Sequence, residues 1–471
     1  MPRSFRIVCR PEHVGLVEEL LRAEGHVFAP EPFFPLARRM EEEPAPLGAS
    51  VAAAFGLIYI QDRSSMLAPL LLQPPQGGTV LDMCASPGSK TGLLAQLVGP
   101  TGMVLANEPN PRRLATLRQN ITALNLIQVA TCGRPGQELP LPEALFTHIQ
   151  LDPPCSGWGT VERNPRVLEM WPEHKLGPLV ALQRELLRKA ATLLAPGGRL
   201  LYSTCTTNPA ENREQVRWAE EHLGLRPVPL HPLPGFEQSH AWSEARSVAL
   251  SSALGEEDGC LHVHTGAGEG QGFFFAALTC FEASPATSKD RREGSAALES
   301  SGRPHGGRGR KKNDASGTVI RPGEFPDLED VAWEHLPPGE LREFNGRVVF
   351  LPEPTLSQGL ALPPSLGWRG FDMGRLTGQT FRLNPRLRLL LPEYKPGQGL
   401  NLDDVRDLRK LLQGQSLDLP SGAATGLSGR ARGTIRERAR GPMGSRIGLY
   451  WRGLPLGWAT VKGGRCLWSP K

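Results

Sequence analysis

The chain has 471 residues, a length typical of about three domains. Its 53 Gly and 45 Pro exceed the usual share, but 39% of the residues are hydrophobic, which supplies a sizeable core and excludes collagen-like, coiled-coil and wholly disordered chains. The net charge of +5 combines 53 basic with 48 acidic residues, so its meaning depends on where the charges lie.

The cysteine content and the apolar runs indicate the compartment. Eight cysteines are too few for a disulfide scaffold, and the absence of a C-x-x-C pair argues against a zinc site. Residues 1–11 contain no apolar signal-peptide core, and apolar runs such as 273–278 are far shorter than the ~18 residues that a membrane span needs. We therefore expect a soluble, reduced, cytoplasmic protein without a metal.

Residues 1–50 predict a small α+β appendage that packs on the domain after it. Residues 5–12 have the composition of a short strand, and residues 12–24 carry apolar residues at helical spacing. Residues 30–46 are rich in proline and are predicted to form a loop.

A regular alternation of strands and helices begins at Thr79. We predict strands at 80–84, 103–108, 127–132, 148–152 and 199–205, helices at 89–98, 111–124 and 177–194, and a further helix start at Asn208. Such alternation indicates right-handed βαβ units and a parallel sheet with helices on both faces. A late strand at 273–281 is expected to close this sheet. The fold class is therefore α/β, with a Rossmann-like, doubly wound and mostly parallel sheet in a domain over residues 51–283.

The composition changes at residue 283. Residues 283–317 consist largely of Ser, Gly and charged residues, so we predict a flexible basic linker over 284–320. Its basic cluster consists of Arg308, Arg310, Lys311 and Lys312. This cluster is compatible either with phosphate contacts or with a solvated tether.

Residues 321–471 predict a second folded region. A helix is expected at 403–412, and the alternating, turn-punctuated end of the chain predicts a small β module. Residues 401–471 hold 13 basic and 5 acidic residues, so the positive charge is concentrated there. The arginines that dominate it are Arg430, Arg432, Arg436, Arg438, Arg440 and Arg446. Arginine among glycine and aromatic residues is typical of a surface that binds a nucleic-acid backbone; a solvated arginine-rich loop is the alternative.

The loop from Asp82 to Lys90 lies where doubly wound sheets bind nucleotide cofactors. It has neither G-x-G-x-x-G nor a P-loop, which indicates a cofactor without phosphates. Glu108 ends the next predicted strand, where a carboxylate can accept hydrogen bonds from both ribose hydroxyls. Together these features indicate S-adenosylmethionine.

Two further strand ends carry cysteines. Cys155 follows the fourth strand within Asp152-Pro153-Pro154-Cys155, and Cys205 ends the fifth strand. Both therefore lie at the sheet edge that carries the cofactor loop, and a thiolate is the strongest nucleophile available near neutral pH. Five other cysteines are expected to be small buried hydrophobic residues, namely Cys9, Cys132, Cys260, Cys280 and Cys466.

Methylation of cytosine at C5 explains why thiols lie at this edge. C5 is not nucleophilic, but addition of a thiolate to C6 makes an enamine-like ring whose C5 can attack a methyl sulfonium. The reaction also needs a base for the C5 proton and an acid for ring N3, a role that Asp152 can fill. N-methylating enzymes use a similar turn with an aromatic residue where this chain has Cys155.

Five stretches resemble the Sun family of RNA cytosine-C5 methyltransferases. They are YIQDRSS (59–65), LDMCASPGSKT (81–91), ANEPNPRRLATLRQN (106–120), LDPPCSGWGTVERNP (151–165) and LYSTCTTNPAEN (201–212), and the likeness covers about residues 6–283. The stretch GLPLGWATVKGG (453–464) resembles the PUA-like RNA-binding module of the bacterial RsmF/YebU-like members.

The resemblance implies a role for each matching residue. Cys205 is the nucleophile that adds to C6, and Cys155 is the base that starts its release. Asp152 binds and protonates the cytosine, Lys90 orients Asp152 and the ring, and Arg163 lies near the bound nucleotide.

The resemblance also implies the cofactor contacts. The residues expected to bind S-adenosylmethionine are Cys84, Ala85, Ser86, Pro87, Gly88, Lys90, Glu108, Arg113 and Asp152. The first five cradle the methionine part, and Glu108 holds the ribose. After the third strand the family usually places an Asp against the adenine, whereas this chain has Cys132-Gly133-Arg134.

Ribosomal RNA is the favoured substrate, and tRNA stays open because the C-terminal module is defined by charge alone. A non-catalytic RNA-binding assembly factor is a further alternative, although the intact Cys155 and Cys205 argue against it. A DNA cytosine-C5 methyltransferase uses a single Cys in the Pro-Cys turn, which leaves Cys205 unexplained.

Overall fold

The computed structural model describes residues 3–161, 164–231, 233–236, 259–263, 272–280, 317–325, 328–354, 366–419, 445–462 and 464–469, and these form four β-sheets. Most of the predicted linker lies outside these ranges, as do Arg163 and the arginines between 430 and 440. In the part of the chain that the structure describes, no helix is long and apolar enough to cross a membrane.

The N-terminal segment forms a four-stranded antiparallel sheet in the order β2-β3-β1-β4. Its elements are β1 (Ser4–Ile7), α1 (Val14–Ala23), β2 (Val27–Pro30), β3 (Ala37–Glu42), α2 (Val51–Ala54) and β4 (Ile58–Ile60). The prediction of a loop over 30–46 is wrong at β3, because the prolines flank this strand and leave its backbone free to pair with β1 and β2. The sheet also extends beyond residue 50, since β4 pairs with β1.

The central sheet has eight strands in the order β10-β12-β9-β8-β5-β6-β7, with β11 paired to β12. The elements are α3 (Arg63–Leu72), β5 (Thr79–Asp82), α4 (Ser89–Val98), β6 (Met103–Asn107), α5 (Pro111–Leu124), β7 (Val129–Cys132), β8 (Phe146–Leu151), α6 (Val167–Met170), α7 (Gly177–Leu193), β9 (Leu194–Thr204), α8 (Arg213–Leu223), β10 (Arg226–Val228), β11 (Cys260–Val263) and β12 (Phe273–Thr279). Strands β5 to β9 are parallel, so the predicted doubly wound Rossmann-like sheet is confirmed.

Two predictions on this sheet need correction. Strand β12 does not close the sheet, because it pairs with β9 on one side and with β10 and β11 on the other. Its apolar residues are buried on both faces, as an internal strand requires. Asn208 caps a helical turn with Pro209 at its first position, as predicted, but this turn is a 3-10 turn over Pro209–Glu211, and α8 begins only at Arg213.

Helix α5 shows how local sequence sets the element bounds next to the cofactor loop. The Asn110 side chain accepts hydrogen bonds from the backbone N–H groups of Arg112 and Arg113, and Pro111 occupies the first helical position. Asn125 ends the helix with a left-handed φ of 57°. The helix therefore begins three residues after Glu108, and its first turn contains Arg113, which contacts that residue.

The C-terminal region contains two five-stranded sheets. The first has β13 (Thr318–Ile320), β14 (Gly339–Phe344), β15 (Arg347–Pro352), β16 (Phe371–Thr377) and β17 (Thr380–Leu383) in chain order, all antiparallel. The second sheet has the strand order β18-β20-β21-β22-β19. Its strands are β18 (Leu400–Leu402), β19 (Leu417–Asp418), β20 (Ser445–Trp451), β21 (Leu454–Lys462) and β22 (Arg465–Leu467), and helix α9 (Val405–Leu412) lies between β18 and β19 in the chain. The predicted helix and β module are confirmed, in keeping with a PUA-like module.

The N-terminal and C-terminal parts share a core, which the sequence did not predict. The rings of Phe55 and Trp468 pack with their centroids 4.9 Å apart, and Arg409 forms an ion pair with Glu24 at 3.0 Å. The buried Arg388 guanidinium donates to five backbone carbonyls of the preceding parts of the chain. These belong to Val8, Phe55, Gly56, Ala123 and Leu124. The C-terminal region is therefore packed into the rest of the structure.

Candidate active site

The two predicted cysteines meet at the carboxyl edge of the central sheet. Strands β8 and β9 are parallel neighbours with Leu151 opposite Tyr202, so both chains leave the sheet at the same place. The turns that follow place Cys155 Sγ and Cys205 Sγ 3.4 Å apart. The backbone N–H of Gly159 donates to the carbonyl of Cys205 at 3.0 Å, which holds the chain after Cys155 against the second turn.

A second polar pair lies at the same edge. The Lys90 Nζ donates to Asp152 Oδ2 at 2.5 Å, and Asp152 Oδ1 accepts from Ser203 Oγ at 3.1 Å. Lys90 Nζ also lies 5.4 Å from the centroid of the Phe273 ring. Ser203 was not among the predicted site residues. A polar residue two positions before Cys205, in a strand of mostly apolar residues, could have indicated it.

The two thiols differ in acidity. A hydrogen bond from Cys155 lowers the pKa of the Cys205 thiol, and the Lys90 charge acts in the same direction against burial and Asp152. The same hydrogen bond, together with burial, raises the pKa of Cys155 well above its usual value. Burial alone lowers the pKa of Lys90, but the adjacent Asp152 outweighs it, and the pKa is raised. Of the two thiols, Cys205 therefore loses its proton at the lower pH, and Lys90 holds its charge.

The other cysteines have ordinary environments. Of the five predicted to be small buried hydrophobic residues, Cys132, Cys260, Cys280 and Cys466 are buried and Cys9 is half-buried. Burial raises the pKa of Cys9 to about 12, so this thiol is neutral at physiological pH.

The predicted cofactor loop joins β5 to α4 and lies against α5. Gly88 has a φ of 108°, and a Cβ there would come within 2.9 Å of Leu117 Cδ1, so the loop needs glycine to approach the helix. The Ser86 Oγ donates to the Arg113 carbonyl at 3.0 Å, and Arg113 Nη2 donates to the Ser86 carbonyl at 3.0 Å. Burial raises the pKa of Cys84, so its thiol stays neutral.

Glu108 directly follows β6 and is almost fully buried, with 2% of its surface exposed. Its Oε1 accepts from the backbone N–H of Asn110 at 2.9 Å, and its Oε2 lies 3.3 Å from Arg113 Nη2. Arg113 thus links Glu108 to the cofactor loop. A carboxylate for a ribose diol beside a tight loop without a phosphate-binding glycine array fits S-adenosylmethionine.

The position after β7, where the Sun family usually has an Asp, is built differently here. Cys132 is buried and donates to Asn107 Oδ1 at 3.3 Å. The Asn107 amide also bonds the backbone of Arg134 through both its oxygen and its nitrogen. Asn107 therefore holds the Cys132–Arg134 segment in place, a role that sequence reasoning did not assign.

The C-terminal region pairs with β7, the outermost strand of the central sheet. Thr131 and Arg369 form an antiparallel bridge with N–H···O distances of 2.8 Å and 2.7 Å. Next to it, Leu366 is buried in the apolar cluster that contains Cys132, and Trp368 packs against that cluster. The C-terminal region is thus paired to the strand that borders the predicted cofactor site.

The predicted RNA-contacting residues are placed only in part. Arg163 and five of the six arginines lie outside the described residues. Arg446 forms an ion pair with Asp330 and lies 5.1 Å from the centroid of the Trp458 ring. Its guanidinium is therefore engaged within the C-terminal region.

A doubly wound sheet with the antiparallel strand β12 next to its far edge gives this domain a Rossmann-like fold of the methyltransferase type. The loop after β5 lacks phosphate-binding glycines, and two thiols lie at the same edge of the sheet. Residues 69–279 match the family model described as 16S rRNA methyltransferase RsmB/F.

Two curated relatives and one solved structure are also similar to this chain. The chain is 38% identical over 283 residues to ribosomal RNA small subunit methyltransferase F of Cronobacter sakazakii, covering 59% of this chain and 56% of the relative. The protein of the same name from Escherichia coli is 35% identical over 294 residues, covering 60% and 58%. A crystal structure of a methyltransferase homolog protein from Pyrococcus horikoshii matches with a TM-score of 0.50 and 29% identity, covering 59% of this chain and 87% of the other. The chain spans less than two thirds of the length of either curated relative.

Proposed function

We propose that this protein is an S-adenosylmethionine-dependent methyltransferase that makes 5-methylcytidine in RNA, with small-subunit ribosomal RNA as its substrate. The observation that carries the proposal is the 3.4 Å separation of Cys155 Sγ and Cys205 Sγ beside the Lys90–Asp152 pair. The names of the curated relatives support the substrate class.

Cys205 is the proposed nucleophile. Its thiolate forms a bond to C6 of the cytosine, and the electron pair of the C5–C6 double bond moves through C4 to N3. Asp152 takes a proton from Lys90 Nζ, which lies 2.5 Å from its Oδ2, and passes a proton to N3, which neutralises the developing charge.

The proposed cofactor residues hold S-adenosylmethionine, which supplies the methyl group when it is bound. Glu108 accepts hydrogen bonds from the ribose hydroxyls, and the loop Cys84–Gly88 surrounds the methionine part. Arg113 bridges these two elements and holds them at a constant spacing.

Cys155 is the proposed base for the elimination. While Cys205 is a thiolate, its hydrogen bond with Cys155 is the largest cause of the high pKa of Cys155. When Cys205 is bonded to C6 that cause is gone, so Cys155 releases its own proton to water more readily and becomes the thiolate that acts as the base. It then takes the proton from C5, the C5–C6 double bond re-forms, the C–S bond breaks, and Cys205 leaves as a thiolate. The N3 proton returns through Asp152 to Lys90, which restores the ion pair.

We propose that different parts of the chain have different roles. Residues 51–283 carry the chemistry, residues 284–320 link, and the basic region 321–471 binds RNA and orients it, while residues 1–50 form an appendage. The target base must be splayed or flipped out of its stack to reach the sheet edge, and Arg163 is proposed to lie near it. Two reactive thiols in contact suit the reducing cytoplasm.

The test is incubation with tritiated S-adenosylmethionine and separately purified small-subunit ribosomal RNA, small ribosomal subunits, tRNA and DNA, followed by nucleoside analysis. We expect label as 5-methylcytidine in ribosomal RNA, naked or in subunits, no label with C205A, and normal label with C280A, which removes a thiol remote from the site. Label only in tRNA would overturn the substrate assignment. No label in any pool, with cofactor binding intact, would favour the assembly-factor alternative.

A further inference from the structure

Glu211 is a buried carboxylate next to both cysteine turns. None of its surface is exposed. Its Oε1 accepts from the Ser156 N–H at 2.9 Å and from Gln183 Nε2 at 3.0 Å, and its Oε2 accepts from Ser156 Oγ at 2.5 Å. A buried carboxylate is retained in a core only when such donors satisfy it. Glu211 therefore has a defined set of partners, and none of them belongs to the cofactor loop.

These partners flank the two thiols. Ser156 directly follows Cys155, and its Oγ lies 2.7 Å from the Oγ1 of Thr206, the residue that directly follows Cys205. On the other side of Cys155, Gln183 Nε2 donates to the Pro154 carbonyl at 2.9 Å. Glu211 therefore holds the chain immediately after Cys155 directly, and it holds the chain immediately before Cys155 through Gln183.

The Cys205 turn has a separate support. Asn212 Nδ2 donates to the Thr206 carbonyl at 2.9 Å, and Thr204 Oγ1 donates to Asn212 Oδ1 at 2.5 Å. The Glu211 carbonyl accepts from Tyr202 Oη at 2.7 Å, which ties the Glu211 backbone to β9. Asn212 therefore holds the Cys205 turn, whereas the Glu211 carboxylate holds the Cys155 turn against the Cys205 turn.

We propose that Glu211 is a positioning residue that keeps the Cys155 sulfur in hydrogen-bond contact with the Cys205 sulfur. The catalytic meaning of this role rests on the proposed function, because the contact is what divides the two thiols into nucleophile and base. Removal of the carboxylate leaves the Ser156 N–H without its acceptor and takes one of two partners from both the Ser156 hydroxyl and the Gln183 amide. The Cys155 turn then relaxes away from β9 and the sulfurs separate.

Cross-linking of the two thiols measures their contact without RNA or S-adenosylmethionine. Diamide takes two electrons and two protons from a pair of adjacent thiols, which become a disulfide while diamide becomes its hydrazine. Peptide mass mapping then identifies the Cys155–Cys205 disulfide among the products. We expect rapid formation of this disulfide in the full-length wild-type chain and formation about tenfold slower in Glu211→Ala, in line with the loss of a buried hydrogen-bonded group.

The matched control is Glu31, a buried carboxylate of the N-terminal sheet that accepts from Ser4 Oγ at 3.0 Å and from Arg63 Nη2 at 3.0 Å. Glu31→Ala removes a similar group whose partners Ser4 and Arg63 belong to neither cysteine turn, so the disulfide should form at the wild-type rate. Glu211→Gln keeps an acceptor oxygen for Ser156 and Gln183, so the disulfide should form at close to the wild-type rate. This variant also replaces Glu211→Ala in the test if the alanine variant does not fold, and a rate between those of the wild type and Glu31→Ala on one side and a tenfold loss on the other is then expected.

A second measurement separates positioning from general support of the fold. The pH midpoint for alkylation of Cys205 by iodoacetamide should rise in Glu211→Ala and stay unchanged in Glu31→Ala. Disulfide formation at the wild-type rate in Glu211→Ala, or an equal slowing in both alanine variants, would overturn the proposal. Because neither readout uses RNA, failure of the methylation test on the wild-type chain leaves this result distinct.

Discussion

Cys155 Sγ lies 3.4 Å from Cys205 Sγ, although the two residues are 50 positions apart in the chain. Parallel pairing of β8 with β9 brings the two turns together, and the hydrogen bond between the sulfurs gives the thiols opposite pKa shifts. A pair of identical side chains thereby acquires two different chemical properties from one contact.

Replacement of either cysteine should stop the reaction at a different stage. C205A removes the nucleophile, so no methylation and no protein–RNA adduct is expected. C155A leaves the nucleophile but removes the base for elimination, so a covalent adduct should accumulate on denaturing gels. Normal turnover by C155A without an adduct would contradict the division of roles, and C280A is the matched control because its thiol lies in the core away from the site.

The acidity of Cys205 should depend on its neighbours. The hydrogen bond from Cys155 is the largest cause of its lowered pKa, and the Lys90 charge acts in the same direction. In both C155A and Lys90→Met we therefore expect the pH midpoint of Cys205 alkylation to move to higher pH. Mass spectrometry of iodoacetamide-labelled peptides across a pH series measures it, and an unchanged midpoint in C155A would show that the hydrogen bond does not set the acidity.

Asp82 should make stability fall as the pH rises. Burial raises the pKa of its carboxyl to about 6, while the hydrogen bond from Thr91 at 2.7 Å opposes the shift. Between the unfolded value of 3.8 and about 6 the folded state holds a proton that the unfolded state has lost, so stability is greatest below this window and declines through it. The decline attributable to Asp82 is about 3 kcal/mol at most.

Asp82→Asn removes this titration while keeping an oxygen for Thr91. Urea unfolding at about pH 4.5 and about pH 7.5 should show the variant gaining stability relative to the wild type as the pH rises. An equal difference at both pH values would mean that Asp82 does not titrate in this window.

Arg388 should tie the C-terminal region to the rest of the chain. Burial lowers the pKa of its guanidinium to about 10, so it remains charged at neutral pH and needs its five carbonyl partners. Arg388→Met leaves those carbonyls without a donor, and we expect the free energy of unfolding to fall by about 3 kcal/mol or more. The neighbouring Arg386 donates to the Ala54 carbonyl at 3.2 Å, and Arg386→Met should have a smaller effect in the same urea titration.

The basic segment should be tested by substitution, because removal of residues 321–471 would also remove Arg388 and the Trp468 side of a shared core. Changing Arg430, Arg432, Arg436, Arg438 and Arg440 together to Gln removes five charges. If they neutralise phosphates, the slope of log K against log salt for RNA binding should become shallower by about 3 to 5. Filter binding across a salt series measures the slope. An unchanged slope would mean that these arginines do not contact RNA phosphates.

The sequence alone determined the central fold and the candidate residues of the site. Alternation of apolar strands with helices predicted the Rossmann-like sheet, because buried parallel strands and amphipathic helices have different periods. The strand ends carrying Cys155 and Cys205 were predictable because parallel strands share an edge. The prolines of residues 30–46 misled the prediction at β3, since strand pairing depends on which backbone groups remain free and not on overall proline content.

Only the tertiary structure decided which groups act on those residues. Hydrogen bonds between distant segments of the chain connect Ser203, Glu211 and Asn107 to the site. Sequence spacing does not show which distant residues come into contact. The same holds for Arg388, whose partners come from the N-terminal and central parts of the chain. Local sequence sets periods, caps and turns, whereas pKa values and positioning arise from burial and from contacts that exist only when the chain is folded.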